Sequence, residues 1–278
     1  MRPPLAEPAA RYLDLLARCL TRDLFLDEEV RNVDLSTWPG GEPDGLRDLL
    51  RERRWRVVGP GADRAVRAVG NDWPPTAETM VGLARLDNVL DCTARALTDG
   101  VPGDLVETGV WRGGTAIFLR GILAALGDDA RRVFACDSFE GLPEADAARY
   151  PIDVPLRLHE HAALSVGVDR VRTAFARYGL LDDRVRFVQG WFRDTLPALA
   201  EDLDAIAVLR LDGDMYESTI DALTHLEPLV SPGGFVLVDD YNGIEACRAA
   251  VTDHRAAHGI TAQLHEVDWT AVWWRKEG

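Results

Sequence analysis

From residue 102 onward short apolar runs alternate with helical stretches, and this alternation restricts the fold more than any other feature of the chain. DLVETG is followed by TAIFLRGILAAL and then RRVFACDS; later come VRTAFARYG, RVRFVQG, IAVLRLDGD, TIDALTHLEPL, GGFVLVDD and a helical pattern near 245–258. Strands that alternate with helices imply a parallel sheet covered on both faces. LHEVDW and AVWWRK close the chain too near one another for a crossover helix, so they are expected as an antiparallel pair at the sheet's edge.

The N-terminal third has a different texture. Tyr12, Leu13, Leu15, Leu16 and Leu20 recur at helical spacing and predict an amphipathic helix within residues 8–26. Residues 33–75, with STWPGGEPDG and VGPGADR, read as irregular and turn-rich. NDWPPTAE introduces a further helix, expected to open at Thr76 or Glu78 and to run to about Leu97. The expected organisation is a helical cap over residues 1–100 and a catalytic domain over 101–278.

With 46 acids against 31 basic residues the formal charge is −15, which repels phosphate backbones and anionic lipid, so neither nucleic acid nor a membrane is expected as partner. Cys19, Cys92, Cys136 and Cys247 show no CxxC or Cys/His ligand spacing and read as reduced thiols in a cytoplasmic protein. The start MRPPLAEPAARYLDLL lacks the apolar core of a signal peptide, and no apolar run approaches the roughly 20 residues that span a bilayer.

The chemistry sits at the expected carboxyl ends of the strands, where ligand clefts lie in such sheets. DLVETGVWRGGTAIF carries Glu107, Gly109 and the Gly113–Gly114 pair into a helix, a turn on which a nucleotide-like ligand can lie against the backbone. Its spacing is not GxGxxG, and a tight turn without a ligand is the plain alternative. Asp137 ends the second strand where an acid commonly accepts ribose hydroxyls; it lies 28 residues beyond Gly109, the intervening helix accounting for the distance. Gly190–Trp191 ends the third, and that indole reads either as core or as a face flanking an adenine. Asp182 and Asp183, just before that strand, read as solvated turn residues.

Asp212 and Asp214 in LRLDGDMYES, with Asp239 and Asp240 in GGFVLVDDY, bring acids from two adjacent strands to one rim. Carboxylates so close repel one another unless a cation shares the site. Oxygen ligands suit a hard divalent ion, Mg²⁺ above all. Helix N-capping is the competing reading, but one cap per helix leaves a surplus of aspartates. HEH at residues 159–161 lacks further ligand spacing and reads as lid or surface; GxSxG and P-loop motifs are absent.

GVPGDLVETGVWRGG, DSFEGLP, FARYGLLDDRVRFVQGWFRDTLP, LRLDGDMYEST and GGFVLVDDY together resemble the macrocin O-methyltransferase (TylF) family over roughly residues 8–275. The resemblance implies an α/β, class I (Rossmann-like) methyltransferase fold of seven strands with the last antiparallel, S-adenosylmethionine (SAM) as cofactor, a divalent cation and a homodimer. It further implies a sugar hydroxyl of a natural product as acceptor. By position, Glu107, Thr108, Gly109 and Thr115 would hold the methionine end of the cofactor, Asp137 and Ser138 its ribose, and Gly190–Trp191 its adenine. Asp212, Asp239 and Asp240 would hold the metal, Asp212 also bordering the cofactor, and Asp214 would be the general base. DLSTWPGGEPDGLRDLLRERRWRVVGPGAD departs from the family pattern, and LRLHEHAALSVGVDR falls where its substrate-covering lid varies. Phenol-type O-methylation, a nicotinamide-dependent oxidoreductase and a non-catalytic nucleoside-binding protein are the competing readings.

Overall fold

A computed structural model describes residues 2–37, 39, 41–61 and 63–278. In the N-terminal third, β1 (Val30–Asn32) and β2 (Val58–Pro60) pair antiparallel. The apolar runs beyond residue 102 become β3 (Asp104–Thr108), β4 (Val133–Asp137), β5 (Val185–Gln189), β6 (Ile206–Leu211), β7 (Val230–Val238), β8 (His265–Glu266) and β9 (Val272–Arg275). They form one seven-stranded sheet in the order β5-β4-β3-β6-β7-β9-β8. Pairings among β3 to β7 are parallel, and β9 runs antiparallel to both of its neighbours. The closing pair at the edge is thus as the sequence implies.

Helices cover both faces. In chain order they are α1 (Glu7–Leu20), α2 (Leu46–Arg53), α3 (Arg64–Ala68), α4 (Gly82–Thr98), α5 (Gly114–Ala125), α6 (Val168–Arg177), α7 (Phe192–Asp202), α8 (Tyr216–Leu226) and α9 (Glu245–Ala257). Side chains alternate across each strand, so the sheet separates two cores. Leu105, Ala135, Phe235 and Leu237 face α1, α4, α5 and α6, whereas Val106, Phe134, Val236 and Val238 face α7, α8 and α9. Leu13, Leu16 and Leu20 of α1 belong to the first core, so the N-terminal helix shares the sheet's own apolar interior.

Two local expectations need correction, and a third needs an addition. Residues 33–75 are not uniformly irregular, since they hold β2, α2 and α3. Helix α4 opens at Gly82, not at Thr76 or Glu78, because the backbone before it is engaged elsewhere. The Glu78 N–H donates to the Leu20 carbonyl (2.9 Å), the Gly114 N–H donates to the Glu78 carbonyl (2.9 Å), and Arg112 Nη1 donates to the carbonyls of Pro74 (3.0 Å) and Ala77 (2.9 Å). The chain there is a strap over the start of α5. Gly82 ends it with φ of +75°, where an added Cβ would stand 2.4 Å from the Gly70 nitrogen. Asp182, lastly, is exposed in a turn as expected, but it is also paired. It accepts from Arg120 Nε of α5 at 3.0 Å, and that hydrogen bond holds its carboxyl below the usual range.

Among the described residues no helix is long and apolar enough to cross a membrane. All four cysteines are free, Cys19 half-buried and the others buried.

Candidate functional site

The strand register brings the chemistry to one lip. Glu107 of β3 lies opposite Arg210 of β6, and Arg210 opposite Leu237 of β7. The ladder continues past the strand ends: Asp212 N–H to the Thr108 carbonyl (2.8 Å), Asp239 N–H to Leu211 (2.9 Å), Gly109 N–H to Cys136 (2.9 Å) and Gly190 N–H to Asp137 (2.9 Å). Each residue that leaves a strand therefore emerges level with its neighbours. They border one cavity, whose lining includes Glu107, Gly109, Thr115, Asp137, Ser138, Gly190, Trp191, Asp212, Asp214, Asp239 and Asp240. Trp191 is half-buried on that wall, not core. Thr108 does not reach it. Adjacent strand residues point to opposite faces, so with Glu107 toward the cavity Thr108 is buried away from it, its hydroxyl 3.4 Å from the Arg210 carbonyl.

Asp137 organises the glycine turn. Its Oδ2 accepts from the N–H groups of Val110 (2.7 Å) and Trp111 (3.2 Å), and its Oδ1 from Phe139 (2.7 Å). Burial raises its pKa, and these three backbone donors pull the other way. The carboxylate is therefore largely engaged, and a ribose would meet only its remaining lone pairs. Gly109 has φ of +87°, and a Cβ there would lie 1.7 Å from the Asp212 carbonyl oxygen, so only glycine lets the turn press against the acid rim. Glu107 is 1% exposed; its Oε1 accepts from Arg210 Nη1 at 2.7 Å, and its Oε2 is buried with no partner among the described residues. Burial pushes its pKa up to about 8. An orphaned carboxylate oxygen beside a backbone cradle fits a cationic ammonium such as that of SAM.

Next to it on the same lip, one oxygen each of Asp212, Asp239 and Asp240 lies within 4.8 Å of the others. Two buried arginines that sequence reasoning missed share this ground. Arg210 bridges Glu107, Asp212 (2.9 Å) and Asp239, and Arg85 of α4 reaches Asp239 and Asp268 (2.9 Å). Six acids, counting Glu107, Asp214 and Asp268, thus share two guanidinium groups. Burial first, and that imbalance second, set the titration. Burial, followed by the charge of Asp239, raises Asp212 to about 6. Burial, followed by Asp212 and Asp239, raises Asp214 to about 8, and burial with Asp214 and its neighbours raises Asp240 well above its usual range. Only Asp239 is lowered: burial works against its charged form, but Arg85 and Arg210 outweigh it. Asp240 Oδ2 is buried without a hydrogen-bond partner among the described residues. Oxygen donors, convergence and missing positive charge together fit a hard divalent cation.

The capping alternative fails on geometry. Neither α8 nor α9 receives a side-chain cap from its own N-cap residue, Met215 or Ile244. Asp153, buried in the short helical turn Pro151–Leu156, instead accepts the N–H groups of Tyr216 (2.7 Å) and Glu217 (3.0 Å) and caps α8 from a distance. Asp214 is left with φ of +60°, a conformation non-glycine residues rarely hold, at the cavity floor. Arg210 had a signal in the sequence, a charge inside the otherwise apolar IAVLRL. Arg85, Trp73 and Trp269, which also line the cavity, had none of that strength.

Known proteins match along nearly the whole chain. A model of the macrocin-O-methyltransferase (TylF) family matches residues 9–276. An 8-demethyl-8-(2,3-dimethoxy-alpha-L-rhamnosyl)-tetracenomycin-C 4'-O-methyltransferase of Streptomyces olivaceus is 51% identical over 265 residues, 95% of this chain and 92% of that protein. A mycinamicin III 3''-O-methyltransferase of Micromonospora griseorubida is 48% identical over 213 residues, 76% of this chain and 83% of its own length. Among solved structures, the O-methyltransferase NovP superposes with a TM-score of 0.84 at 39% identity, covering 97% of this chain and all of that one.

Proposed function

The chain belongs to the macrocin-O-methyltransferase (TylF) family, and from that premise we propose that it transfers a methyl group from SAM to a sugar hydroxyl of a glycosylated natural product, in a site that also holds Mg²⁺ or a similar hard cation. That it is an O-methyltransferase follows from the family and from relatives named for that activity, which sets the nicotinamide-dependent and non-catalytic readings aside. Relatives named for a rhamnosyl tetracenomycin and for mycinamicin III support a sugar-bearing acceptor over a free phenol.

The observation that carries the metal is the convergence of Asp212, Asp239 and Asp240 oxygens within 4.8 Å, opening on the cavity that Glu107 and Gly109 also line. These three aspartates would hold the cation, which supplies when bound the positive charge that makes a neighbouring hydroxyl easier to ionise. Glu107 Oε2 would accept the cofactor's ammonium, Thr115 and the Gly109 turn its carboxylate end, and Asp137 with Ser138 its ribose. Trp191 beside Gly190 would flank the adenine. Asp214, two residues beyond Asp212 and held at the cavity floor by its backbone, accepts the proton of the acceptor hydroxyl on its carboxylate. By fixing donor and acceptor in one enclosed cavity the chain supplies positioning, which accounts for a large share of such accelerations.

The test is calorimetric titration of Mg²⁺ and of S-adenosylhomocysteine into the wild type and Asp240→Asn. Saturable Mg²⁺ binding to the wild type, weakened about tenfold or more in the variant, is expected, because second and third carboxylate ligands are seldom replaceable. Turnover undiminished in excess EDTA removes the metal, and failure to bind S-adenosylhomocysteine removes the donor.

A further inference from the structure

Three carboxylate oxygens among the described residues that line the cavity are buried without a hydrogen-bond partner: Glu107 Oε2, Asp240 Oδ2 and Glu217 Oε2. The first two have occupants in the reading above, the cofactor's ammonium and the cation. Glu217 has none. It stands in the first turn of α8 and is 5% exposed. Its Oε1 accepts from Arg193 Nη1 at 3.0 Å, and its backbone N–H donates to Asp153 at 3.0 Å, so side chain and backbone are both fixed. A carboxylate oxygen held in place without a donor is costly unless a ligand supplies one.

Its position selects the donor. Arg193 lies in the first turn of α7, two residues beyond Trp191, so the Arg193–Glu217 pair joins α8 to the segment assigned to the adenine. The two helix starts meet beside Gly213, where an added Cβ would stand 2.9 Å from Ser218 Cβ and 3.4 Å from the Phe192 ring. SAM carries amine donors at both of its ends, the ammonium of its methionine and the exocyclic amino group of its adenine. Gly190 and Trp191 offer that base a face but no acceptor side chain, and Glu217 offers the acceptor. A second cation is a poor occupant. Arg193 already faces Glu217, and the convergent acid group among the described residues is Asp212, Asp239 and Asp240, without Glu217.

We propose that Glu217 Oε2 accepts a hydrogen bond from the exocyclic amino group of the cofactor's adenine, so that α8 selects the base that Trp191 flanks. The inference rests on the methyltransferase reading above and adds to it a residue that discriminates among cofactors by their base. An N–H donated to a carboxylate forms a charge-assisted bond, stronger than one between neutral groups. A base without that amino group leaves the buried oxygen unpaired and is refused.

Two ligands test it: S-adenosylhomocysteine and its analogue with hydrogen in place of the adenine 6-amino group, each titrated calorimetrically into protein saturated with Mg²⁺. The wild type should bind S-adenosylhomocysteine about 10- to 100-fold tighter than the analogue. Glu217→Gln should remove most of that preference by weakening S-adenosylhomocysteine, because the amide has one acceptor oxygen, which Arg193 claims, and turns its NH₂ toward the base. Glu107→Gln, at the ammonium end, should weaken both ligands alike and keep the preference. Equal affinities in the wild type, a preference intact in Glu217→Gln, or a preference lost as fully in Glu107→Gln overturns the assignment. The wild-type comparison does so whether or not the variants fold. Failure of the wild type to bind S-adenosylhomocysteine at all would instead strike the methyltransferase reading.

Discussion

Asp214 occupies a left-handed backbone conformation on the floor of an acid-rich cavity, and its pKa near 8 has a direct kinetic consequence. Below that pH the carboxyl is protonated and cannot accept the acceptor's proton, so kcat/KM should climb with pH toward about 8. Raising Mg²⁺ should move this limb to lower pH, since added positive charge favours the ionised acid. Asp214→Asn should abolish the limb and lower kcat about 10²- to 10⁴-fold, with S-adenosylhomocysteine affinity nearly unchanged; near-normal turnover would remove the base assignment. Arg210, 2% exposed among Glu107, Asp212 and Asp239, is the other sensitive residue. Arg210→Met should lower stability by about 3–5 kcal/mol, because it leaves buried carboxylates uncompensated, an effect readable in urea unfolding. The acids were legible in the sequence because two pairs end two apolar runs. Arg85 was not, since its partner Asp239 lies 154 residues away and nothing local marks the pairing.

Elements were legible where they generate their own pattern. The five inner strands stand as continuous or alternating apolar runs, and α5, α6, α8 and α9 follow from helical spacing between them. The strap of residues 74–79 misled because its composition suits a helix start while its backbone partners come from Leu20, Arg112 and Gly114. Helix α8 shows the same dependence at its N-terminus, where Asp153 does from afar what a local cap would do. Asp153→Ala should cost about 1 kcal/mol and reduce amide-exchange protection in the first turn of α8. Unchanged protection there would mean that packing alone secures the helix end.

The whole molecule is a sheet between two cores, and that much could be read from sequence because parallel strands buried on both faces leave little choice of architecture. How residues 2–100 dock could not, because those contacts join segments far apart in the chain. A tie within the C-terminal part also sets a pH limit. Glu227, after α8, is buried, which disfavours its charge, yet His254 of α9 at 3.6 Å and Lys276 beyond β9 at 3.2 Å outweigh this and lower its pKa from 4.5. A depressed carboxyl stabilises the fold above pH 4.5 and loses that contribution as the pH falls through its folded value. Glu227→Gln should therefore flatten the acid side of the melting-temperature profile, and an unchanged acid limb would rule the tie out. At this scale the remote cap acquires another meaning. The stretch that carries Asp153 runs directly into Leu158, which lines the cavity, and yet completes the start of α8, so a chimera that imports this stretch from a relative with different tastes inherits a structural duty as well. Grafts that retain an aspartate at that point should keep their melting temperature, and grafts that drop it should soften before any change in selectivity can be judged.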